Sequence, residues 1–144
     1  MAVLGDFNII STFQPVATML SGDVQNDGIY GPDRAPDWDK SLAADAAPLH
    51  NATEPFDYTW RNDGGAFAPG RLDYMLYTNS MLEKVHSFVL NTTMMSPSAL
   101  AAAGLQVFDI TVDASGSHFD HLPLVVDFRE RPLPTLDFAP LQGR

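Results

Sequence analysis

Gly5-Asp6-Phe7-Asn8 sets a carboxylate and an amide two residues apart, directly after the short apolar run Ala2-Val3-Leu4. An aspartate just past a strand's C-terminal end faces the crevice where α/β folds place ligands. It could there bind a metal ion or take a proton from water, while the asparagine amide could donate to a phosphoryl oxygen that gains charge. Gly-Asp followed by Asn is also ordinary turn chemistry. A second constellation is Arg71-Leu72-Asp73-Tyr74. Period two puts Arg71 and Asp73 on one face of an otherwise apolar strand, and a mid-strand carboxylate is costly to bury without a partner. A local Arg71–Asp73 ion pair is the plain alternative. The third is His118-Phe119-Asp120-His121-Leu122-Pro123. Asp120 and His121 could supply one metal ligand and one proton donor, or could belong to a polar loop whose histidines titrate in solvent. His118 and His121 lack the spacing of two zinc ligands on one helical face, and no third nitrogen or sulfur ligand is evident. His50 and His86 have no partners in sequence and are expected to be structural or surface residues.

The elements that must hold these groups read as α/β, with more strand than helix. Ala2–Leu4 is the end of a strand, and the start of the chain looks cut into that element. Residues 13–20 suit a short helix with Ser11 or Thr12 as its cap. From 21 to 55 the composition turns to Gly, Pro, Asp and Asn, a long irregular loop. Phe56–Arg61 is rich in strand formers and ends at the turn cluster Asn62-Asp63-Gly64-Gly65. Arg71–Tyr77 is the clearest strand: Leu72, Tyr74 and Leu76 form one apolar face, and Met75 and Tyr77 carry apolar character to the other. Such a strand belongs in a sheet covered on both sides. Val85–Leu90 and Leu122–Phe128 are further strands, Ser96-Pro97 opens an Ala-rich helix closed by Gly104, and 132–144 is an extended Pro-rich tail.

In this order, the constellations resemble the endonuclease/exonuclease/phosphatase superfamily of deoxyribonuclease-like enzymes. Gly5-Asp6-Phe7-Asn8 is similar to its central motif, Arg71-Leu72-Asp73-Tyr74 to its Arg-x-Asp-Tyr strand, and Asp120-His121-Leu122-Pro123 to its Ser-Asp-His-x-Pro ending. Tyr58-Thr59-Trp60-Arg61 looks like the strand that precedes Arg-x-Asp-Tyr, while Phe119 stands where the family usually has Ser. The resemblance implies a divalent-metal-dependent phosphoesterase acting on phosphodiesters, possible nucleic acid included. Asp6 would activate the attacking water, Asn8 would hold the phosphate, and His121 would stabilise the phosphoryl group with Asp73 fixing its tautomer. Asp120 and Asp6 would bind the metal, with Arg71 and Tyr74 in support; oxygen ligands suit Mg²⁺ first, then Mn²⁺ or Ca²⁺.

Residues 1–131 would correspond to the C-terminal half of the family's domain. The family's opening strand with its metal-associated Asn, its Gln-Glu motif and its midway phosphate-binding His find no counterpart here. The expected fold is therefore one sheet with outer helices, half of a four-layer α/β/β/α sandwich. A face carrying Leu72, Tyr74 and Leu76 cannot stay in water, so a homodimer or higher even oligomer packed through that inner sheet face is expected. The alternative is a catalytically impaired half-domain that binds metal or a partner and self-associates without turnover. Asp23, Asp27, Asp33, Asp37 and Asp39 could reach a second site in such an assembly, although a solvated acidic loop accounts for them more simply.

Composition narrows the classes further. Eight basic against eighteen acidic residues leave a formal charge of −10, which disfavours holding nucleic acid by a broad basic surface. A bound cation could still reverse the local field. With no cysteine there is no disulfide, thiolate catalysis or iron–sulfur chemistry. No basic-then-apolar leader opens the sequence and no apolar run reaches a membrane span, so a soluble chain without membrane contact is expected. Asn51-Ala-Thr53 and Asn91-Thr-Thr93 fit the glycosylation pattern, a short pattern that is common by chance.

Overall fold

The computed structural model describes residues 1–110 and 119–132, so His118 and the tail beyond Pro132 lie outside them. Strand β3 (Asp73–Tyr77) is the centre of a three-stranded antiparallel sheet. On one side it pairs with β1 (Ala2–Asp6), from Ala2 opposite Tyr77 to Asp6 opposite Asp73; on the other it pairs with the short β2 (Ala44–Asp45). β4 (Leu82–Val89) and β5 (Leu124–Glu130) form a second antiparallel sheet of their own. Three short helices, α1 (Gln14–Ser21), α2 (Asp27–Tyr30) and α3 (Pro97–Ala103), complete a mixed α/β fold with two small antiparallel sheets. None is long and apolar enough to cross a membrane.

The expectation of a single sheet is thus corrected. Met75 and Tyr77 turn one face of β3 toward Leu82, Leu124, Val126 and Phe128, with the Tyr77 and Phe128 rings 4.8 Å apart. The second sheet is drawn over that face by its own apolar side chains instead of extending the first sheet's edge. The opposite face is corrected too. Tyr74 and Leu76 are only 5% and 2% exposed, packed with Val16 of α1 and lined by Phe7, Ile9, Met19 and Leu20. Val16, Met19 and Leu20 share one helical stripe, so α1 itself buries the face for which a second copy was invoked. β3 is covered on both sides, as its composition demands, within the chain.

Helix α1 begins without a side-chain cap at Phe13, although the Thr12 hydroxyl accepts from the Gln14 amide at 3.3 Å. It ends at Gly22, whose φ of 75° is left-handed, and a Cβ there would lie 1.6 Å from the Arg34 carbonyl oxygen. Only glycine fits this close approach of the 21–55 excursion. That excursion holds α2 and β2 and is pinned at Asp37, which is 4% exposed. The Asp37 carboxylate accepts from the Trp38 amide (2.7 Å), the Ser80 amide (3.0 Å) and the Ser80 hydroxyl. Burial pushes its pKa up, but these bonds, Ser80's foremost, outweigh burial and hold it below the ordinary value. Asp37 is therefore no solvated loop residue, whereas Asp23, Asp27, Asp33 and Asp39 are exposed.

Phe56–Arg61 forms no regular strand. Trp60 makes one antiparallel pair with Gly70 and one with His121. The buried Thr59 hydroxyl accepts the amides of Leu72 (3.0 Å) and Asp73 (2.8 Å), donors that a neighbouring strand would otherwise use. α3 follows its sequence signals: the Ser96 hydroxyl accepts from the Ala99 amide at 3.1 Å and Gly104 closes the helix at φ 68°.

Candidate active site

The antiparallel register of β1 on β3 brings Asp6 opposite Asp73, so two carboxylates from distant parts of the sequence meet at one end of the sheet. The ladder continues one step, with the Phe7 amide donating to the Leu72 carbonyl at 2.8 Å. The chain then leaves the sheet: Asn8 adopts a left-handed φ of 49° and its amide donates to Asp6 Oδ1 at 2.7 Å. This Asx turn is the plain chemistry that Gly-Asp-Phe-Asn allowed, and it also fixes the Asp6 carboxylate.

His121 arrives from the segment before β5. The Leu122 amide donates to the Thr59 carbonyl at 2.7 Å, and the Arg61 amide donates to the Asp120 carbonyl at 2.9 Å. Thr59 thereby ties β3's first residues to the residue after His121. His121 Nδ1 lies 2.8 Å from Asp73 Oδ2. The carboxylate accepts, so Nδ1 carries the proton in both charge states and Nε2 is left as the ring's other working atom. Desolvation lowers the His121 pKa, but the Asp73 hydrogen bond and charge, together with the charges of Asp6 and Asp120, outweigh it and raise the pKa above the ordinary value.

The alternative Arg71–Asp73 ion pair is not formed. Arg71 instead pairs with Asp45 at 2.6 Å and lies 4.3 Å above the Tyr74 ring, and its Nε is buried without a partner. The regular strand begins only at Asp73, so period two does not govern Arg71: Asp73 is turned to His121, while Arg71 lies over Tyr74, which packs in the α1 core against Phe7 at 5.5 Å. Arg71 and Tyr74 thus sit beside the site as packing partners, and burial raises the Tyr74 pKa.

Asp120 is exposed, and its Oδ2 accepts the Trp60 indole N–H at 3.0 Å. Phe119, where a serine was expected by resemblance, is 68% exposed. Asp6, Asp73 and Asp120 each already accept a hydrogen bond, and among the described residues no three His, Asp or Glu side chains cluster to hold a metal ion. Asp6 and Asp120 would offer two carboxylates, a set that leaves the rest of a Mg²⁺ shell to water and phosphate oxygens.

Asp6, Asn8 and His121 line one cleft of about 610 Å³ together with Ile9, Ile10, Trp60, Phe67, Ala68, Gly70 and Leu72. The volume suits a small ligand. A depression of about 640 Å³ beside α3 brings together no more than the Asp109 carboxylate as a charged group. His50 is fully buried: Nε2 bonds the Tyr58 carbonyl at 2.7 Å and Nδ1 meets the Asn91 amide at 3.1 Å. His86 is a surface residue 3.6 Å from Asp127. The Asn51 side chain donates to the Asn91 carbonyl and accepts from the Asn91 amide, both at 3.0 Å, while the buried Asn91 side-chain amide meets His50, so both side-chain amides are engaged within the fold. Trp60 and Thr59, which hold the site, belong to Tyr58-Thr59-Trp60-Arg61, where residue type alone signals strand propensity and no role in a site. Comparison with family models, curated proteins and solved structures finds no match.

Proposed function

We propose that this chain is a phosphodiesterase-type hydrolase of the endonuclease/exonuclease/phosphatase kind, corresponding to the C-terminal half of that domain. The observation supporting it is the convergence of Asp6, Asn8 and His121 on one cleft, with Asp73 behind the imidazole. In the reaction the oxygen of a water molecule bonds to phosphorus while the bond from phosphorus to the leaving oxygen breaks. Asp6 accepts the water's proton, the leaving oxygen takes a proton from solvent, and Asn8 and His121 donate to the phosphoryl oxygens as their charge grows. Mg²⁺, Mn²⁺ or Ca²⁺ would require donors beyond Asp6 and Asp120, so no step is assigned to a metal.

Hydrolysis of bis(p-nitrophenyl) phosphate, with and without added Mg²⁺, tests this reading. His121→Ala should lower the rate by about 10²-fold or more, the ordinary size of losing one hydrogen-bond donor to a developing oxyanion. Equal background rates in wild type and variant would overturn it. They would favour a half-domain that binds metal or a partner and self-associates without turnover. A second copy would add at the β1 edge, where Leu4 is exposed, and extend the sheet instead of stacking on it, because α1 occupies the Tyr74–Leu76 face. Light scattering of wild type and Leu4→Glu checks it: a monomeric mass for both at micromolar concentration rejects the assembly.

A further inference from the structure

The cleft has two unlike halves. Asp6, Asn8 and His121 make the polar end, and Ile10, Trp60 and Phe67 make an apolar wall in which Ile10 is 80% and Phe67 77% exposed. Large apolar groups at a cleft mouth gain from a ligand that covers them. The wall is also held in place. Trp60 is paired through its backbone with both Gly70 and His121, and its indole N–H is fixed on Asp120. The indole face and the imidazole are thus set relative to each other by one backbone pair, which is how a stacking platform beside a reacting centre would be built.

Charge limits what can lie there. Among the described residues no Lys or Arg lines the cleft, Arg61 is committed to Asp63 and Thr93, and Arg71 to Asp45. A ligand with one phosphate meets His121 and Asn8, but each further phosphate would meet Asp6, Asp120 and a chain of net charge −10 without a cation to receive it. We infer that the cleft takes small, singly charged phosphodiesters bearing a flat aromatic ring, with the ring on Ile10, Trp60 and Phe67 and the phosphate on His121 and Asn8. For its charged end this rests on the phosphodiester reading; the ring selectivity rests on the wall alone.

Titration calorimetry tests it, with Trp60 emission read in parallel in the Trp38→Phe variant, which leaves Trp60 as the only indole. Methyl phenyl phosphate and the dinucleoside monophosphate of thymidine should bind more tightly than dimethyl phosphate and quench Trp60; the tighter of the two tells an aryl ester from a base-bearing ligand. Phe67→Ala should weaken binding of both by about tenfold, the usual worth of one stacked ring, with an unchanged circular dichroism spectrum. Dimethyl phosphate binding as tightly as the ring-bearing ligands, no saturable binding of either, or a long oligothymidylate binding more tightly with a steep salt dependence would overturn the inference. Ring-dependent binding without hydrolysis would sink the catalytic reading and leave this one. Hydrolysis with ring-independent binding would do the reverse.

Discussion

Asp73→Asn keeps an acceptor for His121 Nδ1 and removes only the charge, so it isolates what the carboxylate does for the imidazole. Opposite charges about 4 Å apart attract by about 1 kcal/mol in water and about 4 kcal/mol at an effective dielectric of 20. The His121 and Asp73 side chains are 38% and 20% exposed, so solvent screening places the pair near the lower figure, about 1 kcal/mol. The sign follows from the raised His121 pKa. A group whose pKa is higher in the folded state contributes fully below its unfolded value, about 6.5 for histidine, and loses that contribution as pH rises through the folded value. Wild type should therefore exceed Asp73→Asn by about 1 kcal/mol in mildly acidic buffer, with the gap closing on the alkaline side. Urea denaturation across pH gives the gap, and NMR titration of the His121 ring, assigned with His121→Ala, gives its midpoint. That midpoint should fall, because burial, which lowers it, is then opposed only by the smaller effects of the Asp6 and Asp120 charges. An unchanged midpoint, or a gap that widens with pH, would refute the assignment of Asp73 as the residue that holds His121 charged.

Asp37→Ala removes the acceptor for Trp38 and Ser80, and should cost about 2–4 kcal/mol by urea denaturation, against less than about 0.5 kcal/mol for the exposed Asp23→Ala. Because the Asp37 pKa is depressed, wild type should lose that advantage as pH falls through the folded pKa, which acid denaturation of both proteins would read out. Thr59→Val keeps the shape and deletes the hydroxyl that two backbone amides need, a loss of about 2–4 kcal/mol that should disturb the His121 ring resonance as well. Gly22→Ala combines a left-handed φ with a backbone collision and should destabilise by about 3 kcal/mol or more, visible as a fall in thermal midpoint.

Local signals carried the elements that obey local rules. Ser96-Pro97 and Gly104 bound α3 because a hydroxyl cap, a fixed proline φ and a left-handed glycine act within one turn. β3 was legible from its two-faced apolar pattern, as was the need to cover it. What covers it was legible only in part: Val16, Met19 and Leu20 recur at helical spacing, yet no local pattern says which sheet face a helix will choose. Phe56–Arg61 had strand composition, but Thr59 spends its hydroxyl on the amides of Leu72 and Asp73, and Trp60 is claimed from two sides by single pairs. Propensity measures fit to a pleated surface and does not foresee such competition. Asp37 resembled its neighbours in the acidic loop until Ser80, 43 residues away, supplied its partners.

The candidate site follows the same division, and this bears on what it can do. That Asp6, Asp73 and His121 belong together was suggested by their order in sequence. Their meeting depends on the β1–β3 register and on Thr59 bridging β3 to Leu122, both long-range. A one-residue slip of β1 would turn Asp6 to the opposite sheet face and leave Asp73 with His121 intact. The dyad and the Asp6 carboxylate are therefore separable parts: the first is held by Thr59 and the second by the β1 register and its Asx turn. Losing Asp6 alone should remove water activation while the raised His121 pKa, for which Asp73 is the larger support, largely persists. Losing Thr59 should weaken both, because it anchors the very residues of β3 on which the β1 ladder ends.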